Sequence, residues 1–288
     1  MRETFVAKKT TMLSCVLLDE YPYLGKNRVA RLISAKNVKI NEKRVSVDLR
    51  VEKNASVEVF IPASFIPNTP TVVYSDDNIL IVDKPVHMDS TEALPKILEK
   101  EYGKLFPVHR LDTNTTGIIA LARGIKTKTE LERAFKERGV QKKYIATVVG
   151  KPKKPSGRIR NWLVKDAEKG IVKASVTKIN GSLEAITDYE VISAEDGLSK
   201  IALYPHTGRT HQLRAQLASI GCPILGDGKY GDYEENRRRR MHEQALCAYK
   251  LRFSFTTPAG ILAYLNGREF TVRNVPFVES LGFDRVRD

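Results

Sequence analysis

The sequence predicts an α+β protein: a mostly antiparallel sheet in the larger part of the chain, preceded by a small α/β module. Three observations lead there. After residue 70, short apolar or alternating runs outnumber helical stretches. Turn-forming groups separate these runs, notably Asp76-Asp77-Asn78, Asp196-Gly197 and Pro258-Ala259-Gly260. The leading segment, up to about Pro67, carries its own pattern of one amphipathic helix and several short strands.

In chain order, Asn27 to Ala35 sets Val29, Leu32 and Ile33 on one helical face, with Arg28 and Arg31 beside it. Val38, Ile40, Val45 and Val47 then alternate around the turn Asn41-Glu42-Lys43, and Val57 to Ile61 adds a strand. Asn68-Thr69-Pro70 reads as a linker, dividing the chain into 1–67 and 68–288. Beyond it, Val72 to Tyr74 and Ile79 to Val82 flank the first turn. Gly117 to Ala122 makes a strand. A helix follows, with a Thr127-x-x-Glu130 capping box, Leu131 and Phe135 on one face and Gly139 as terminator. Tyr144 to Val149, Ala185 to Ser193, Leu198 to Tyr204 and Ile261 to Tyr264 read as further strands. Thr207 and Gly208 turn the chain, and Thr210 caps a helix whose Leu213, Leu217 and Ile220 share a face. Gly221 and Pro223 end it.

The 288 residues allow one large domain and a small one. A net charge of +14 favours a polyanionic partner, nucleic acid or an anionic membrane surface. No apolar run approaches the roughly twenty residues of a spanning helix, and the first residues show no signal-peptide core, so the expected location is cytoplasmic. Cys15, Cys222 and Cys247 are far apart and odd in number, without metal-ligand spacing or a disulfide framework. With no P-loop, dinucleotide fingerprint or zinc motif, the expectation is no cofactor and no metal. Between Lys26 and Arg44 stand seven basic residues and one acidic, Glu42. That is either a solvated face or a contact surface for phosphates.

Two strings carry the chemistry. His109-Arg110-Leu111-Asp112-Thr113-Asn114-Thr115-Thr116-Gly117 sets a carboxylate in a tight loop before an apolar strand. Such an Asp is either a turn residue or, if a nearby group keeps it ionised, a nucleophile or base. Thr207-Gly208-Arg209-Thr210-His211-Gln212-Leu213-Arg214 follows far downstream, continuing to Leu225-Gly226-Asp227. Arg209 falls in the loop that opens a helix, where its fork can reach another loop. Lys142-Lys143-Tyr144-Ile145-Ala146 opens a strand with an aromatic. His109 and His211 read as hydrogen-bonded spacers.

These strings resemble the HRLD-x-x-T-[ST]-G, T-G-R-[TS]-H-Q-[IL]-R and K-x-Y-x-A motifs of the RluA-type pseudouridine synthases. Lys26 to Arg44 and the strand after it resemble an S4 RNA-binding domain. The resemblance implies a long mixed sheet with a central active-site cleft. It implies isomerisation of uridines in RNA, ribosomal RNA favoured and transfer RNA possible, by breaking the N1–C1′ bond and forming a C5–C1′ bond. It casts Asp112 as the catalytic carboxylate, Arg209 as its paired guanidinium and Tyr144 as the aromatic that stacks on the base and joins in proton removal at C5. Arg110, Lys26, Arg28, Arg31, Lys39, Lys43 and Arg44 become RNA contacts, and a monomer is expected. Ile81-Val82-Asp83-Lys84-Pro85 resembles the family's [DN]-K-P strand end, but the following loop departs from the family, and Lys84 and His87 receive no catalytic role. The competing reading is a non-catalytic RNA-binding or ribosome-assembly protein on the same scaffold, which has no need to keep Asp112, Tyr144 and Arg209 together.

Overall fold

Two large hydrophobic cores and a small third cluster, of Leu163, Val172, Ala185 and Ala215, organise the described residues. In the computed structural model, residues 1–62, 65, 69–166, 170–275 and 277 are described. Pro67 and Asn68, where the expected boundary falls, lie outside them. The first core gathers Leu13, Leu17, Val29, Leu32, Val57 and Val59. It closes helices Leu13–Glu20 and Gly25–Ser34 onto a four-stranded sheet. The strand order in that sheet is Arg2–Val6, Ser56–Phe60, Val38–Ile40, Lys43–Val45, with every pairing antiparallel. Asn41 and Glu42 make the expected hairpin turn, with φ of +47° and +70°. Val47 departs from expectation. It lies outside the strands and is 64% exposed, because the pairing with Val38–Ile40 ends at Val45.

The second core fills a large mixed sheet. From one edge the strands run Ile171–Ser175, Ser156–Asp166, Leu183–Glu195, Leu198–Pro205 and Val140–Val149. The order continues with Leu246–Phe253, Thr116–Ala122, Ile79–Lys84 and Thr71–Ser75. Among the described residues, the single parallel pairing joins Thr116–Ala122 to Leu246–Phe253, through Thr116 with Cys247 and Gly117 with Ala248. Gly117 makes that approach possible. Its φ is +109°, and a Cβ there would collide with the Ala248 backbone. The centre of the sheet is apolar on both faces: Ile118, Ile145, Ala146, Ile201 and Cys247 are all buried.

Several local expectations shift. The helix after Ala122 begins at Ile125 with Gly124 as N-cap, so Thr127 is buried inside it and the capping box does not form. Arg138, at φ +62°, and not Gly139, takes the left-handed position at its end. Thr210 does not cap the downstream helix. That helix is Gln212–Ser219, with His211 at φ +51° as N-cap and no side-chain cap. Ile220 follows its last turn, 38% exposed. Ile261 to Tyr264 forms a 3-10 segment, Gly260–Leu265, whose buried residues Leu262 and Leu265 lie three apart as that helix requires.

Candidate active site

Asp112 sits in the loop that delivers the chain into Thr116–Ala122, and that loop is held from several sides. The Thr115 N–H donates to the Asp112 carbonyl at 2.9 Å, closing a turn. Gln244 Nε2 donates to Thr115 Oγ1 at 2.9 Å. The Ser90 hydroxyl donates to the Leu111 carbonyl and accepts from the Leu111 N–H. Lys84, fully buried, donates to the carbonyls of Pro85, Met88 and Thr113 at 2.9, 3.0 and 3.3 Å. Burial, opposed by Asp89, Asp112 and Asp83, pushes its ammonium down to about 7. His109 Nε2 accepts from the Ala120 N–H at 2.9 Å, so this ring is the expected spacer and carries its proton on Nδ1. An Asp so framed has little freedom to turn away from what lies above it.

The guanidinium bound to Asp112 belongs to Arg214. Its Nη1 donates to Asp112 Oδ2 at 3.0 Å. Its Nε and Nη2 grip both oxygens of Asp227 at 2.7 and 2.8 Å. Asp227 in turn accepts from the N–H groups of Lys229 and Tyr230. The side chains of Arg214 and Asp227 are 8% and 0% exposed, that of Asp112 19%. Burial opposes the charge on Arg214, but Asp227 and Asp112 more than offset it and its pKa is raised. Burial likewise opposes the charge on Asp227, yet Arg214 and the two N–H groups hold its carboxyl below the usual carboxylate range. A fork that is fixed on one carboxylate presents its remaining nitrogen to the other at a set angle.

Arg209 does not make the expected pair. Its Nε donates to the Glu184 carbonyl at 3.1 Å, and its N–H is taken by Gln212 Oε1 at 3.0 Å. The correction has a simple cause. The N-cap is His211, one residue later than the expected Thr210, so Arg209 is left on the turn beside Leu183–Glu195 while Arg214 enters the first helical turn. Buried Gln212 and Gln216 lock that helix: Gln212 donates to the Ile186 carbonyl and Thr187, and Gln216 to Asn161 and the Ala185 carbonyl. Asp227, in the string Leu225-Gly226-Asp227, was the available signal, since a carboxylate bound for burial needs a cation.

His211 is hydrogen-bonded, as expected, and stands beside Asp112. Tyr230 accepts from the Val172 N–H at 2.6 Å and meets His211 Nδ1 at 2.9 Å. The tautomer that satisfies both has its proton on Nε2, which lies 4.0 Å from Asp112 Oδ2. Burial, with help from Arg214 and Lys229 and against Asp112 and Asp227, lowers its pKa.

Tyr144 lies on Val140–Val149 at a register shift against Leu246–Phe253, between the pairs Lys143 with Lys250 and Tyr144 with Ala248. Such an irregularity re-aims a side chain. Burial first, then Asp112 and Cys247, push the Tyr144 phenol up, which keeps it neutral. Asp112, Tyr144, Arg209, His211 and Arg214 all line one cavity of about 220 Å³. A wider groove of about 620 Å³ adjoins it, sharing Arg110, Asp112, His211 and Arg214. Its lining includes the start of the first module's second helix, with Lys26 and Arg28.

Beyond Lys26 and Arg28 the basic residues of that module are spread further, and Arg28 itself is engaged by Phe65. Arg28 donates to the Phe65 carbonyl, and both Arg28 and Arg31 lie over the Phe65 ring. Lys39 pairs with Glu58 at 2.8 Å, and Arg44 donates to the Lys36 carbonyl. Lys43 is exposed on the hairpin. Among the described residues, no group of three or more His, Cys, Asp or Glu side chains could hold a metal ion, and no helix is long and apolar enough to cross a membrane.

Comparison with known proteins accords with this geometry. The family model described as RNA pseudouridylate synthase matches residues 69–219. "Ribosomal large subunit pseudouridine synthase C" of Rickettsia bellii is 31% identical over 249 residues, covering 74% of this chain and 80% of the relative. "Dual-specificity RNA pseudouridine synthase RluA" of Escherichia coli K12 is 33% identical over 204 residues, covering 65% and 92%. The solved structure of "Human RNA Pseudouridylate Synthase Domain Containing 1" superposes with a TM-score of 0.57 at 26% identity, over 76% of this chain and 97% of that one. The chain belongs to the RNA pseudouridylate synthase family, of the RluA type, and is an RNA pseudouridine synthase with the fold of that family.

Proposed function

We propose that this enzyme converts specific uridines of structured ribosomal RNA to pseudouridine, with transfer RNA as a second substrate class, and that Asp112 is its catalytic carboxylate. The observation that carries the assignment to Asp112 is its position in the cavity, held by a guanidinium that Asp227 fixes from behind. The names of the bacterial relatives support the choice of RNA, as does the net charge of +14. The target uridine is extruded from its stack, because the atoms to be rejoined are out of reach within it. Its base lies against the neutral Tyr144 ring. Asp112 acts on the sugar, either at C1′ as nucleophile or at the 2′ carbon by proton removal. Both routes use the same carboxylate beside Arg214. The N1–C1′ bond breaks, the base turns, C5 bonds to C1′, the C5 proton leaves and N1 takes one up, so composition is conserved.

Residues 1–67 form the S4-like RNA-binding domain and 68–288 the catalytic domain in this reading. Lys26, Arg28 and Arg110 hold backbone along the groove that leads to Asp112, and Arg31, Lys39, Lys43 and Arg44 extend the basic surface. Arg209, at the cavity rim, contacts substrate and does not orient Asp112. The enzyme works as a cytoplasmic monomer. The test is pseudouridine mapping of total RNA, by carbodiimide labelling and primer extension, from cells with and without a functional copy. Sites that vanish and return with the wild type, but not with Asp112→Asn, identify both reaction and substrate. Unchanged maps in ribosomal and transfer RNA would refute the assignment of substrate.

A further inference from the structure

Beside the cavity over Asp112 lies another of about 510 Å³. The two share His109, Lys142, Pro205, Thr207 and Gly208, so they adjoin there. The outer end of the second cavity is basic, with Lys136 and Arg138 exposed at the close of a helix. Among the described residues its lining contains no Asp or Glu. The carboxylate that holds its His206, Asp188, is already bound by Arg158 at 2.6 Å.

Lys142 stands at the neck between the cavities. Among the described residues its ammonium makes no ion pair and no hydrogen bond; it lies 4.8 Å from the centre of the Phe135 ring. Burial pushes it down to about 8. Beside it, His109 Nδ1 is a buried donor without a partner, because Nε2 is occupied by the Ala120 N–H. Charges and donors drawn out of water, wholly or in part, are ordinarily paired, and Lys142 is half-buried. Two such groups at one neck, with further cations beyond and no acid among the described lining residues, ask for an anion that comes with the ligand. The rings of Phe135 and Tyr204 add faces against which a sugar or base can lie.

We propose that this second cavity receives the phosphodiester of a nucleotide adjoining the extruded uridine, with Lys142 as its counter-ion and Lys136 and Arg138 further along the strand. The inference rests on the proposed function, which puts the target nucleotide over Asp112. Its test is a double-mutant cycle between protein and RNA. A short RNA containing the uridine found by mapping, tritiated at C5, is made with natural linkages or with a neutral methylphosphonate on the 5′ or the 3′ side of the target. Tritium release reports turnover, since the C5 proton leaves when C5 bonds to C1′.

On natural RNA, Lys142→Gln is expected to lower kcat/KM by about tenfold, the order expected for one charge-assisted contact. The loss falls mainly in KM, and Lys142→Arg recovers most of it. One of the two neutral linkages lowers wild-type kcat/KM by about the same factor and costs Lys142→Gln nothing further. Equal losses from both neutral linkages in wild type and variant, or a Lys142→Gln enzyme within twofold of wild type, would overturn the proposal. If Lys142→Gln does not fold, the exposed pair Lys136→Gln and Arg138→Gln decides through the same cycle, with a loss of about threefold expected and equal linkage effects overturning it. Wild-type enzyme that releases no tritium from the RNA defeats the proposed function and this inference together. Wild-type turnover with an insensitive Lys142 defeats the inference alone.

Discussion

The charges around Asp112 and those along the neighbouring cavity are handled in opposite ways. Arg214 is answered by two carboxylates, Asp227 by a guanidinium and two N–H groups, and Lys84 by three carbonyls. Lys142, half-buried, receives no carboxylate or carbonyl from the described residues. The first arrangement serves geometry. A charge satisfied inside the protein stays where it is whether or not a ligand is present, which is what a reacting carboxylate needs. The second leaves charge unspent, and that suits a group meant to meet a phosphate.

The largest effect that would separate the two regions is on turnover at Asp112. Asp112→Asn keeps the shape and removes the charge, so tritium release should stop while RNA affinity, read by filter binding, stays within about threefold, as befits one phosphate-free contact. A parallel loss of affinity would make Asp112 part of the binding surface instead.

The next effect distinguishes Arg214 from Arg209. Arg214→Ala strands Asp227 in the interior, a change of about 3–5 kcal/mol in unfolding free energy, and it should remove most turnover in the molecules that fold. The sign with pH follows from Asp227. Its carboxyl is held low in the folded state, so its contribution is present above the unfolded value near 3.8 and is lost as pH falls through the folded one. Without the guanidinium, burial raises Asp227 and acid unfolding moves to higher pH. Arg209→Ala, which loses one bond to a carbonyl at the surface, should change stability by less than about 1 kcal/mol and act on KM. Equal damage to kcat from both variants would restore Arg209 as the pairing residue.

The smallest effect is on the basic face of the first module. Lys26→Gln and Lys43→Gln should each reduce the slope of log affinity against log salt by about 1 and leave kcat at saturating RNA alone. An unchanged slope would make that face merely solvated.

Much of this was open to reading in advance, and the failures share a cause. Helix Gly25–Ser34 and strands Thr116–Ala122 and Leu198–Pro205 came within a residue or two of expectation, because their apolar spacing is strong. The strand Ser156–Asp166 escaped because Asn161 occupies one of its inward positions, where it accepts from Gln216. A buried polar residue breaks the alternation that announces a strand. Leu246–Phe253 lies in mid-sheet with Lys250 and Arg252 interrupting its apolar run, and nothing local tells it from a helix.

The amino-acid order alone determined helix Gly25–Ser34, the loop that carries Asp112 and the strand that carries Tyr144. These depend on neighbours in sequence: turn chemistry, alternation and clustered charge. Which arginine reaches Asp112 is another matter. Arg209 and Arg214 stand five positions apart in one string, and both have the right chemistry. The choice was made by where the helix starts, by Gln212 and Gln216 reaching into the sheet, and by Asp227 waiting behind. Lys142 became visible as a charge without a partner among the described residues only in the folded chain. A pairing is a property of distances between remote segments, and those exist only in the folded chain.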